Sequence, residues 1–382
     1  MRLLIAGGGT GGHIYPALAV AQSLRARNET DVRWLGGHRG LERGLVGAAG
    51  IPFQRLVLRS LRTTERDVHL VLDPVRLGAS VAQASAILVR QRPAAIFTTG
   101  GYTAIPVLMA AAPLRIPVVM WEGNVIPGRS VRATARLADV LAVSFAPTCG
   151  AVRTSHPCYV TGTPIRDLRG LDREAARAQF GIPPGDRMLL VFGGSQAVRR
   201  FNAAVAEVLP QLVERTHVVH VAGDDGYAAA LTSREALRAG VRERYRPVPF
   251  LRDDMAQALG AADLVVGRAG SSTLAEVTAL GLPMIVVPYP HAAGHQLANA
   301  RVLADAGAAR LIEDEAFDGA ALLAATSILE DPAVHAGMAA ASRSLGRPGA
   351  ADAVAELVLA AAEDRPLPEP DAVDRLSREG AG

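Results

Sequence analysis

The stretch that decides the fold is Ala6-Gly7-Gly8-Gly9-Thr10-Gly11-Gly12-His13-Ile14-Tyr15-Pro16. It follows an apolar, strand-like run at residues 3–6 and opens a helical pattern over residues 16–26, with Pro16 suited to a first helical turn. A strand, a glycine-rich turn and a helix in this order predict the start of a doubly wound α/β domain. The glycines also fit the dinucleotide pattern G-x-G-x-x-G. However, the next strand ends Trp34-Leu35-Gly36-Gly37 without an acidic residue for a ribose, which disfavours an NAD enzyme.

Short apolar, β-branched runs alternate with amphipathic stretches along most of the 382 residues. This alternation is typical of parallel sheets that are covered by helices on both faces. The predicted strands lie at residues 3–6, 32–35, 53–58, 95–98, 117–122 and 140–145 in the first half, and at 188–192, 218–222, 245–249, 264–266, 284–288 and 310–312 in the second. Two sets of about six strands predict an α/β fold of two Rossmann-like, doubly wound domains.

The domain boundary is expected near Gly162, because a polar stretch follows the last strand of the first half. The last clear helical pattern covers residues 350–362. From Glu363 onward the chain is rich in Pro, Asp and Glu, and we expect residues 363–382 to form a disordered tail.

The basic residues are unusual because all 40 are arginines and the chain has no lysine. This excludes chemistry through a Schiff-base lysine, a pyridoxal phosphate anchor or the lysine of a P-loop. An anion must instead be bound by Arg, by backbone N–H groups or by helix N-termini. The net charge of +3, with no basic arm, gives no reason to expect a nucleic acid partner.

Three further features bear on the compartment. The apolar run at residues 3–6 is too short for a signal peptide. The uncharged segment 94–114 is interrupted by Thr99-Gly100-Gly101, which disfavours a spanning helix, so we expect a soluble protein. Cys149 and Cys158 match no metal spacing, and we interpret both as packing residues in a reducing cytoplasm.

Two more loops of the first half follow predicted strands, at residues 98–102 and 121–124. Because the carboxyl ends of parallel strands form the ligand crevice of an open α/β sheet, we expect Thr10, His13, Tyr102, Glu122 and Asn124 along one edge. His13 is a candidate general base or a hydrogen-bond donor to an anion, and the alternative is a capping histidine. The alternative role of Glu122 is to cap a helix, and the alternative role of Tyr102 is to pack against its neighbours.

The second half repeats the design in the loops 192–196 and 267–276. Backbone N–H groups and the Ser195 hydroxyl suit a phosphate, and the small residues and hydroxyls that precede Glu276 suit an anion at a helix N-terminus. Glu276 is either favoured there by the helix dipole or placed to accept both hydroxyls of a ribose. Arg166 would supply positive charge near the domain boundary.

Taken in order, five motifs resemble those of the MurG family, the peripheral glycosyltransferases that make lipid II in bacterial cell-wall synthesis. They are Gly8-Gly9-Thr10-Gly11-Gly12-His13, Gly100-Gly101-Tyr102, Glu122-Gly123-Asn124, Gly193-Gly194-Ser195-Gln196 and the run from Gly270 to Glu276. The resemblance covers nearly the whole chain, and the combination of motifs is what makes it specific.

The resemblance implies a GT-B fold with an interdomain cleft. An N-terminal, acceptor- and membrane-side domain of residues 1–162 would take back the C-terminal helix at about 346–362, and residues 163–345 would bind UDP-GlcNAc. The implied reaction is inverting transfer of GlcNAc from UDP-GlcNAc to the C4 hydroxyl of undecaprenyl-diphospho-MurNAc-pentapeptide (lipid I), without a cofactor. The implied donor contacts are Thr10, Gly11, Gly12, Asn124, Arg166, Ser195, Arg252, Ser271, Ser272, Thr273, Leu274, Ala275, Glu276 and Gln296.

By the same resemblance His13 and Tyr102 lie on the acceptor side, with His13 as the candidate base and Glu122 as a further catalytic candidate. Glu276 would bind the ribose, and the backbone of Arg252 the uracil. No Asp-x-Asp sequence occurs in the chain, so a metal held by that motif is not expected.

Several positions depart from the family pattern. The family commonly has His-Glu-Gln-Asn where this chain has Trp121-Glu122-Gly123-Asn124, and Asn where it has Val131 and Thr163. Ala197 and His295 also differ from the usual Gly and Gln. The donor side is nearly intact and the acceptor side is altered, which leaves open a paralogue with a different acceptor.

Two other classes of function compete with this one. A sugar-nucleotide 2-epimerase would need acid/base carboxylates around the sugar, for which only Glu122 is obvious. A non-enzymatic two-domain binding protein would not explain the paired phosphate loops.

Membrane association is expected because the acceptor is a lipid. Residues 68–89 mix apolar residues with the flanking arginines Arg59, Arg62, Arg66, Arg76 and Arg90. An amphipathic surface with a basic edge suits the anionic cytoplasmic leaflet, which predicts peripheral attachment to the cytoplasmic side of the cell membrane. The alternative is an ordinary helix packed on the sheet.

Overall fold

The computed structural model describes residues 1–27, 30–37, 42–58, 69–152, 154–194, 198–251, 254–292 and 294–379, with the backbone alone at 69–73 and 198. The chain divides into two compact units, Met1–Asp167 with Arg347–Gly382, and Leu168–Gly346. Each unit contains one sheet, and all the strand pairings found in the described residues are parallel. The predicted pair of doubly wound domains is therefore confirmed.

The N-terminal segment of unit 1 alternates strands and helices as the sequence predicts. Its elements are β1 (Arg2–Ala6), α1 (Gly11–Ala26), β2 (Asp31–Gly36), α2 (Glu42–Ala48), β3 (Phe53–Arg55), α3 (His69–Gln91), β4 (Ala95–Thr98), α4 (Ala104–Leu114), β5 (Val118–Glu122), α5 (Arg129–Thr134), β6 (Val140–Val143), α6 (Pro147–Ala151) and β7 (Cys158–Val160). In the described residues the strand order is β3-β2-β1-β4-β5-β6-β7. The seventh strand, β7, was missed because it is three residues long and falls on the predicted domain boundary.

The sheet of unit 1 is buried on both faces because successive strand residues point to opposite sides. Leu3 and Ile5 of β1 pack with α1 in one core cluster, and Leu4 and Ala6 pack in a second cluster with residues of α3 and α4. This explains why the strands read as continuous apolar runs instead of alternating with polar residues.

Unit 2 repeats the alternation. Its elements are α7 (Arg173–Gln179), β8 (Met188–Phe192), α8 (Val198–Arg215), β9 (His217–Val221), α9 (Gly223–Glu235), α10 (Ala239–Arg242), β10 (Tyr245–Val248), α11 (Met255–Ala261), β11 (Leu264–Gly267), α12 (Ser271–Ala279), β12 (Met284–Val286), α13 (His295–Asp305), β13 (Ala309–Leu311), α14 (Gly319–Ala325) and α15 (Pro332–Leu345). The strand order within the described residues is β10-β9-β8-β11-β12-β13.

Two buried polar groups tie unit 2 together. Asp263, with a side chain only 6% exposed, accepts hydrogen bonds from Arg173, Arg177 and Arg187 and from the backbone N–H of Met188. This carboxylate therefore joins the start of the sheet to the helix before it. A buried negative charge with several donors is stable only while those donors remain in place.

The second group is His220 on β9, which is hydrogen bonded to Tyr245 at 2.9 Å and to Asn202 at 3.0 Å. Burial lowers the pKa of His220 to about 4, because the protonated ring cannot be solvated in the core. His220 is therefore neutral in the folded protein at physiological pH.

The C-terminus corrects one prediction. After α16 (Ala350–Ala362), which packs on α1 in unit 1, the expected disordered tail contains the helix α17 (Pro370–Glu379). Val373 is 1% exposed, and Arg347 pairs with Asp374 at 2.6 Å. The composition suggested disorder because the segment is short and polar, but one buried apolar side chain and an ion pair hold the helix against its own unit.

The cysteines correct a second prediction. Cys149 on α6 and Cys158 on β7 are joined in a disulfide, with Cα atoms 5.9 Å apart. The interpretation as separate packing residues was wrong, because α6 returns the chain to β7 beside β6 and brings the two within bonding range. Both side chains also pack against the apolar core cluster that contains Leu141.

Candidate active site

In unit 1 the structure brings the three predicted loops to neighbouring strand ends. Ala6, at the end of β1, pairs with Thr98 on β4, and Thr98 pairs with Met120 on β5. The loops after β1, β4 and β5 therefore start side by side at the carboxyl edge of the sheet, the position where open α/β sheets bind ligands.

Glycines allow the first two of these loops to touch. A Cβ on Gly101 would lie 2.9 Å from the Gly8 carbonyl oxygen, closer than real side chains approach a backbone. Gly100 and Gly101 also have φ of +77° and +82°, a region that favours glycine. Close backbone approach thus requires glycine at position 101, and positive φ favours glycine at both positions, so the pair needs no ligand to explain it.

His13 on the first turn of α1 is bound to the second loop. Its Nδ1 lies 2.7 Å from the Thr99 carbonyl oxygen, and the Thr99 hydroxyl donates to the His13 carbonyl at 3.0 Å. A carbonyl only accepts, so the proton of the neutral ring is on Nδ1 and the lone pair is on Nε2. Within the described residues, Nε2 makes no hydrogen bond.

The charge state of His13 follows from its surroundings. Burial lowers the pKa of His13 below its ordinary value, while the negative charge of Glu122 and the hydrogen bond to Thr99 act in the opposite direction. Burial dominates because the charged ring loses its water. The ring is therefore neutral near pH 7 with Nε2 able to accept a proton.

Glu122, at the end of β5, is buried and fully engaged by its own loop. Its Oε1 accepts from the backbone and side-chain N–H groups of Asn124 at 2.9 and 3.0 Å, and its Oε2 accepts from Gly128 N–H at 2.8 Å. The sequence grouped Glu122 with the catalytic candidates. In the structure both carboxylate oxygens accept hydrogen bonds from the loop that contains Asn124, and the negative charge raises the pKa of His13.

Tyr102 and Thr10 border the same loops. Tyr102 is half-buried with its ring 3.2 Å from where a Cβ of Gly9 would lie, and Thr10 is exposed at the start of α1. Burial raises the pKa of the Tyr102 hydroxyl, and the charge of Glu42 raises it further. Tyr102 is therefore a neutral hydrogen-bonding group at physiological pH.

The departures from the family pattern have structural roles in unit 1. The Trp121 indole N–H donates to the Gly162 carbonyl at 3.0 Å, and Thr163 shares a 2.7 Å hydrogen bond with Ser144. Val131 is buried against Gly100. All three side chains thus satisfy interior contacts. Arg166 lies exposed near the end of this segment.

In unit 2 the corresponding edge is formed by β8, β11 and β12, because Gly267 pairs with both Phe192 and Val286. The predicted contacts Ser195 and Arg252 lie outside the described residues, as does Ala197. Gly193 and Gly194 are described, and the φ of Gly194 is +72°.

The run from Ser271 to Glu276 forms the first turns of α12, with Gly270 before it. Leu274 is buried, while Ser271, Thr273, Ala275 and Glu276 are half-buried, as is Ser272. The Ser272 hydroxyl oxygen is buried and has no hydrogen-bond partner within the described residues. Because backbone N–H groups at a helix N-terminus lack partners in the helix, this end of α12 suits an anion.

Gln296 on α13 connects two of the loops in unit 2. Its Oε1 accepts from the backbone N–H groups of Ala269 at 3.1 Å and Tyr289 at 2.9 Å. This leaves the Nε2 amide as the group of Gln296 that is suited to bind a ligand, as a donor.

Sequence reasoning missed three residues at these edges: Glu42, Thr99 and Arg268. Arg268 is buried, pairs with Asp314 at 2.5 Å and stacks on the Phe201 ring at 4.8 Å, so it is a structural cation. The sequence could have singled out Arg268 because it directly follows β11, and Thr99 because it directly follows β4. Glu42 gave none, because it lies several residues beyond its strand.

The described residues contain no group of three or more His, Cys, Asp or Glu side chains arranged to hold a metal ion. No helix in the described part of the chain combines the length and apolar character that a membrane crossing needs.

Two doubly wound α/β units, with glycine-rich loops and helix N-termini at their carboxyl edges, are typical of the GT-B fold, and the family matches place the chain among the GT-B glycosyltransferases. The chain belongs to glycosyltransferase family 28. The N-terminal domain of this family matches residues 3–143, and the C-terminal domain matches residues 188–356. The protein is accordingly a hexosyltransferase.

Relatives of nearly equal length carry a specific name. A protein of Desulforudis audaxviator, 39% identical over 366 residues (94% of this chain and 98% of the relative), is named UDP-N-acetylglucosamine--N-acetylmuramyl-(pentapeptide) pyrophosphoryl-undecaprenol N-acetylglucosamine transferase. A protein of Listeria monocytogenes with the same name is 35% identical, covering 94% of this chain and 99% of its own.

Solved structures agree with the fold. MurG of Acinetobacter baumannii is 28% identical, with a TM-score of 0.77, covering 94% of this chain and 99% of its own. UDP-GlcNAc 2-epimerase of Neisseria meningitidis has a TM-score of 0.67 at 13% identity, covering 94% of this chain and 100% of its own, and this likeness concerns the fold alone.

Proposed function

We propose that this chain transfers GlcNAc from UDP-GlcNAc to the C4 hydroxyl of lipid I, with inversion, to give lipid II. The names of relatives that cover almost all of the chain supply the substrates. The structural observation that carries the proposal is the hydrogen bond from His13 Nδ1 to the Thr99 carbonyl, because it presents Nε2 as a proton acceptor.

In the proposed reaction, His13 Nε2 takes the proton of the acceptor C4 hydroxyl while that oxygen attacks the anomeric carbon of GlcNAc. The bond from this carbon to the β-phosphate oxygen breaks on the opposite side, and UDP leaves with the electron pair. Attack opposite to the leaving group inverts the configuration. The negative charge of Glu122 stabilises the imidazolium that His13 becomes, as it already raises the pKa of the ring.

The departing UDP gains negative charge, which the N-terminus of α12 is suited to stabilise. The Ser272 hydroxyl supports this role. It has no hydrogen-bond partner in the part of the chain that the structure describes, and a buried hydroxyl without a partner is costly unless a ligand bonds to it. We assign Ser271, Thr273 and Arg166 to the same phosphates. Ser195 and the uracil contact at Arg252 remain predictions.

The remaining donor contacts have distinct chemistry. Glu276 accepts hydrogen bonds from the ribose hydroxyls in this proposal, and Asn124 is held for the sugar by Glu122. Gln296 contributes its Nε2 amide as a donor, since its oxygen already binds two backbone N–H groups. Thr10, Gly11 and Gly12 face the substrates from the start of α1, and Leu274 and Ala275 do so through the backbone of α12.

We propose a membrane-facing surface on α3 and α4, which pack together. Ile87 and Leu88 are buried, so one face of α3 is an ordinary packed face. Val75 is 67% exposed, and Val89, Met109 and Leu114 are exposed to a smaller extent. Arg90, which follows Val89 in the sequence, is also exposed. Exposed apolar side chains next to Arg support peripheral attachment to the anionic cytoplasmic leaflet. Arg59, Arg62 and Arg66 lie outside the described residues.

The 2-epimerase alternative needs a carboxyl group that transfers a proton at the sugar. Glu122 is poorly suited to it, because both of its oxygens accept hydrogen bonds from the loop. The paralogue alternative differs only in the acceptor, so it is separated by the acceptor that is supplied.

The deciding experiment measures UDP release from UDP-GlcNAc with and without a short-chain lipid I analogue, together with product analysis. We expect release only with the analogue, and a disaccharide-linked lipid as product. Formation of UDP-ManNAc, or UDP release that is indifferent to the analogue, would refute the proposal. A thermal-shift comparison adds a simple check, since stabilisation by NAD but not by UDP or UDP-GlcNAc would exclude a UDP-sugar enzyme.

A further inference from the structure

A buried carboxylate lies inside the first glycine-rich loop. It belongs to Glu42, the first residue of α2, which is 1% exposed. Its Oε1 accepts a hydrogen bond from Gly9 N–H at 2.6 Å. A Cβ on Gly8 would collide with Oε1 and lie 3.0 Å from Cδ, so the carboxylate rests directly on the Gly8 backbone.

Glu42 lies where the first and second loops meet. Its charge acts on the Tyr102 hydroxyl, and the Tyr102 ring packs beside Gly9. On the other side, Gly101 approaches the Gly8 carbonyl. The carboxylate therefore contacts Gly8 and Gly9, the backbone that leads into Thr10 and His13.

The contact also decides which groups the loop can bind. In G-x-G-x-x-G loops the backbone N–H groups and the following helix N-terminus commonly bind a pyrophosphate. Gly9 is the second glycine of that pattern here, and its N–H already donates to a carboxylate. A fixed negative charge at this point also repels a second anion.

We propose that Glu42 is a positioning residue that takes the place of a phosphate at the Gly9 N–H, fixes the loop carrying Thr10 and His13, and closes this part of the loop to phosphate. The substrates' phosphates then bind away from the Gly9 N–H, and Gly8 and Gly9 serve the close packing of two loops. The effect on turnover rests on the proposed function, but the effect on anion binding does not.

The test titrates the full-length chain with inorganic pyrophosphate by isothermal titration calorimetry. Glu42→Ala removes the carboxylate and frees the Gly9 N–H. It should bind pyrophosphate at least about tenfold more tightly than the wild type, or show an added site, since one hydrogen bond to a charged group is worth such a factor. Glu42→Gln keeps an oxygen for Gly9 and removes only the charge, so it should gain much less pyrophosphate affinity than Glu42→Ala.

Unit 2 offers a matched control in Glu207, whose Oε2 accepts from Gly319 N–H at 3.0 Å while its carboxyl lies against that glycine. Glu207→Ala should leave pyrophosphate binding unchanged. No gain in Glu42→Ala would overturn the proposal, and so would an equal gain in Glu207→Ala or in Glu42→Gln.

If Glu42→Ala does not fold, Gly8→Ala provides a second test of the proposal. Gly8→Ala places a methyl group where Oε1 lies, and the end of the Glu42 side chain must move off Gly9. The gain in pyrophosphate binding should therefore appear in Gly8→Ala as well. Its absence in a folded Gly8→Ala protein would also count against the proposal.

Turnover provides the readout of positioning. Glu42→Ala should lower kcat by about tenfold or more with little change in KM for UDP-GlcNAc, because misplacing a base by a fraction of an ångström slows the chemical step. Glu42→Gln should recover most of the rate. A uniform loss in both variants, tracking stability, would contradict a positioning role. A wild type without GlcNAc transfer would refute the proposed function and leave the calorimetry valid.

Discussion

Replacing Glu122 by Gln tests the loop and the base together. The amide keeps one acceptor oxygen, which can stay at Oε1 with both Asn124 donors, but places an NH2 group opposite Gly128 N–H, now 2.8 Å from Oε2. The variant loses one hydrogen bond to a charged group, worth about 1.5–3 kcal/mol. At about 2–4 °C per kcal/mol for a unit of this size, unfolding of unit 1 should occur about 3–12 °C lower.

The same change moves the pH profile of turnover. Glu122 raises the pKa of His13 against the dominant effect of burial, so removing its charge lowers that pKa further. A base acts in its neutral form, and activity is lost as the pH falls through its pKa. The acid limb of kcat/KM should therefore move to lower pH in Glu122→Gln, while the plateau falls because Asn124 is less well held.

The assay is UDP release measured from pH 5 to 9, with thermal unfolding of the same samples. Asp139→Asn is the matched control, because Asp139 accepts from the Val118 N–H at 2.8 Å at the opposite end of the same sheet. It should lose stability without moving the acid limb. An acid limb in Glu122→Gln that stays in place, or moves to higher pH, would refute the assignment of His13 as the base.

Other predictions concern single residues. His13→Ala should lower turnover far more than UDP affinity, whereas Glu276→Ala should weaken UDP binding measured by calorimetry; equal losses of nucleotide binding would contradict this division. Asp263→Ala leaves three arginines without their carboxylate and should destabilise unit 2 by about 3–5 kcal/mol in urea unfolding, with a loss below 1 kcal/mol arguing against it. His220 has a folded pKa of about 4 and binds its proton more readily when unfolded, so stability should fall by about 3 kcal/mol from pH 6.5 to pH 4. His220→Gln should flatten that dependence, and an equally steep fall in the variant would exclude His220 as its source.

Local patterns were sufficient for the strands and the loops that follow them. Buried parallel strands are apolar on both faces, so runs such as β4 (Ala95–Thr98) and β8 (Met188–Phe192) were predicted with their observed bounds. The grouping of the loops after β1, β4 and β5 followed from topology alone, because carboxyl ends of parallel strands share an edge.

Contacts between distant residues could not be predicted in this way. Glu42 binds Gly9 across 33 positions, and Arg347 holds Asp374 in a tail whose composition suggested disorder. The disulfide between Cys149 and Cys158 depends on where α6 turns the chain. Each depends on which surfaces come together after folding, and no local period or propensity encodes that.

The sequence by itself determined the class of this protein: glycine-rich turns after apolar strands, no lysine for a phosphate site, and motifs in the order of one glycosyltransferase family. Tertiary structure alone decided which atoms of those motifs are already hydrogen bonded. It showed that side-chain oxygens of Glu122 and Gln296 already accept hydrogen bonds from backbone N–H groups. It also showed that Nδ1 of His13 faces a carbonyl oxygen, which places the proton of the neutral ring on Nδ1. The physical reason is that a polar side chain's role is set by which of its atoms are already hydrogen bonded, and burial makes those bonds obligatory.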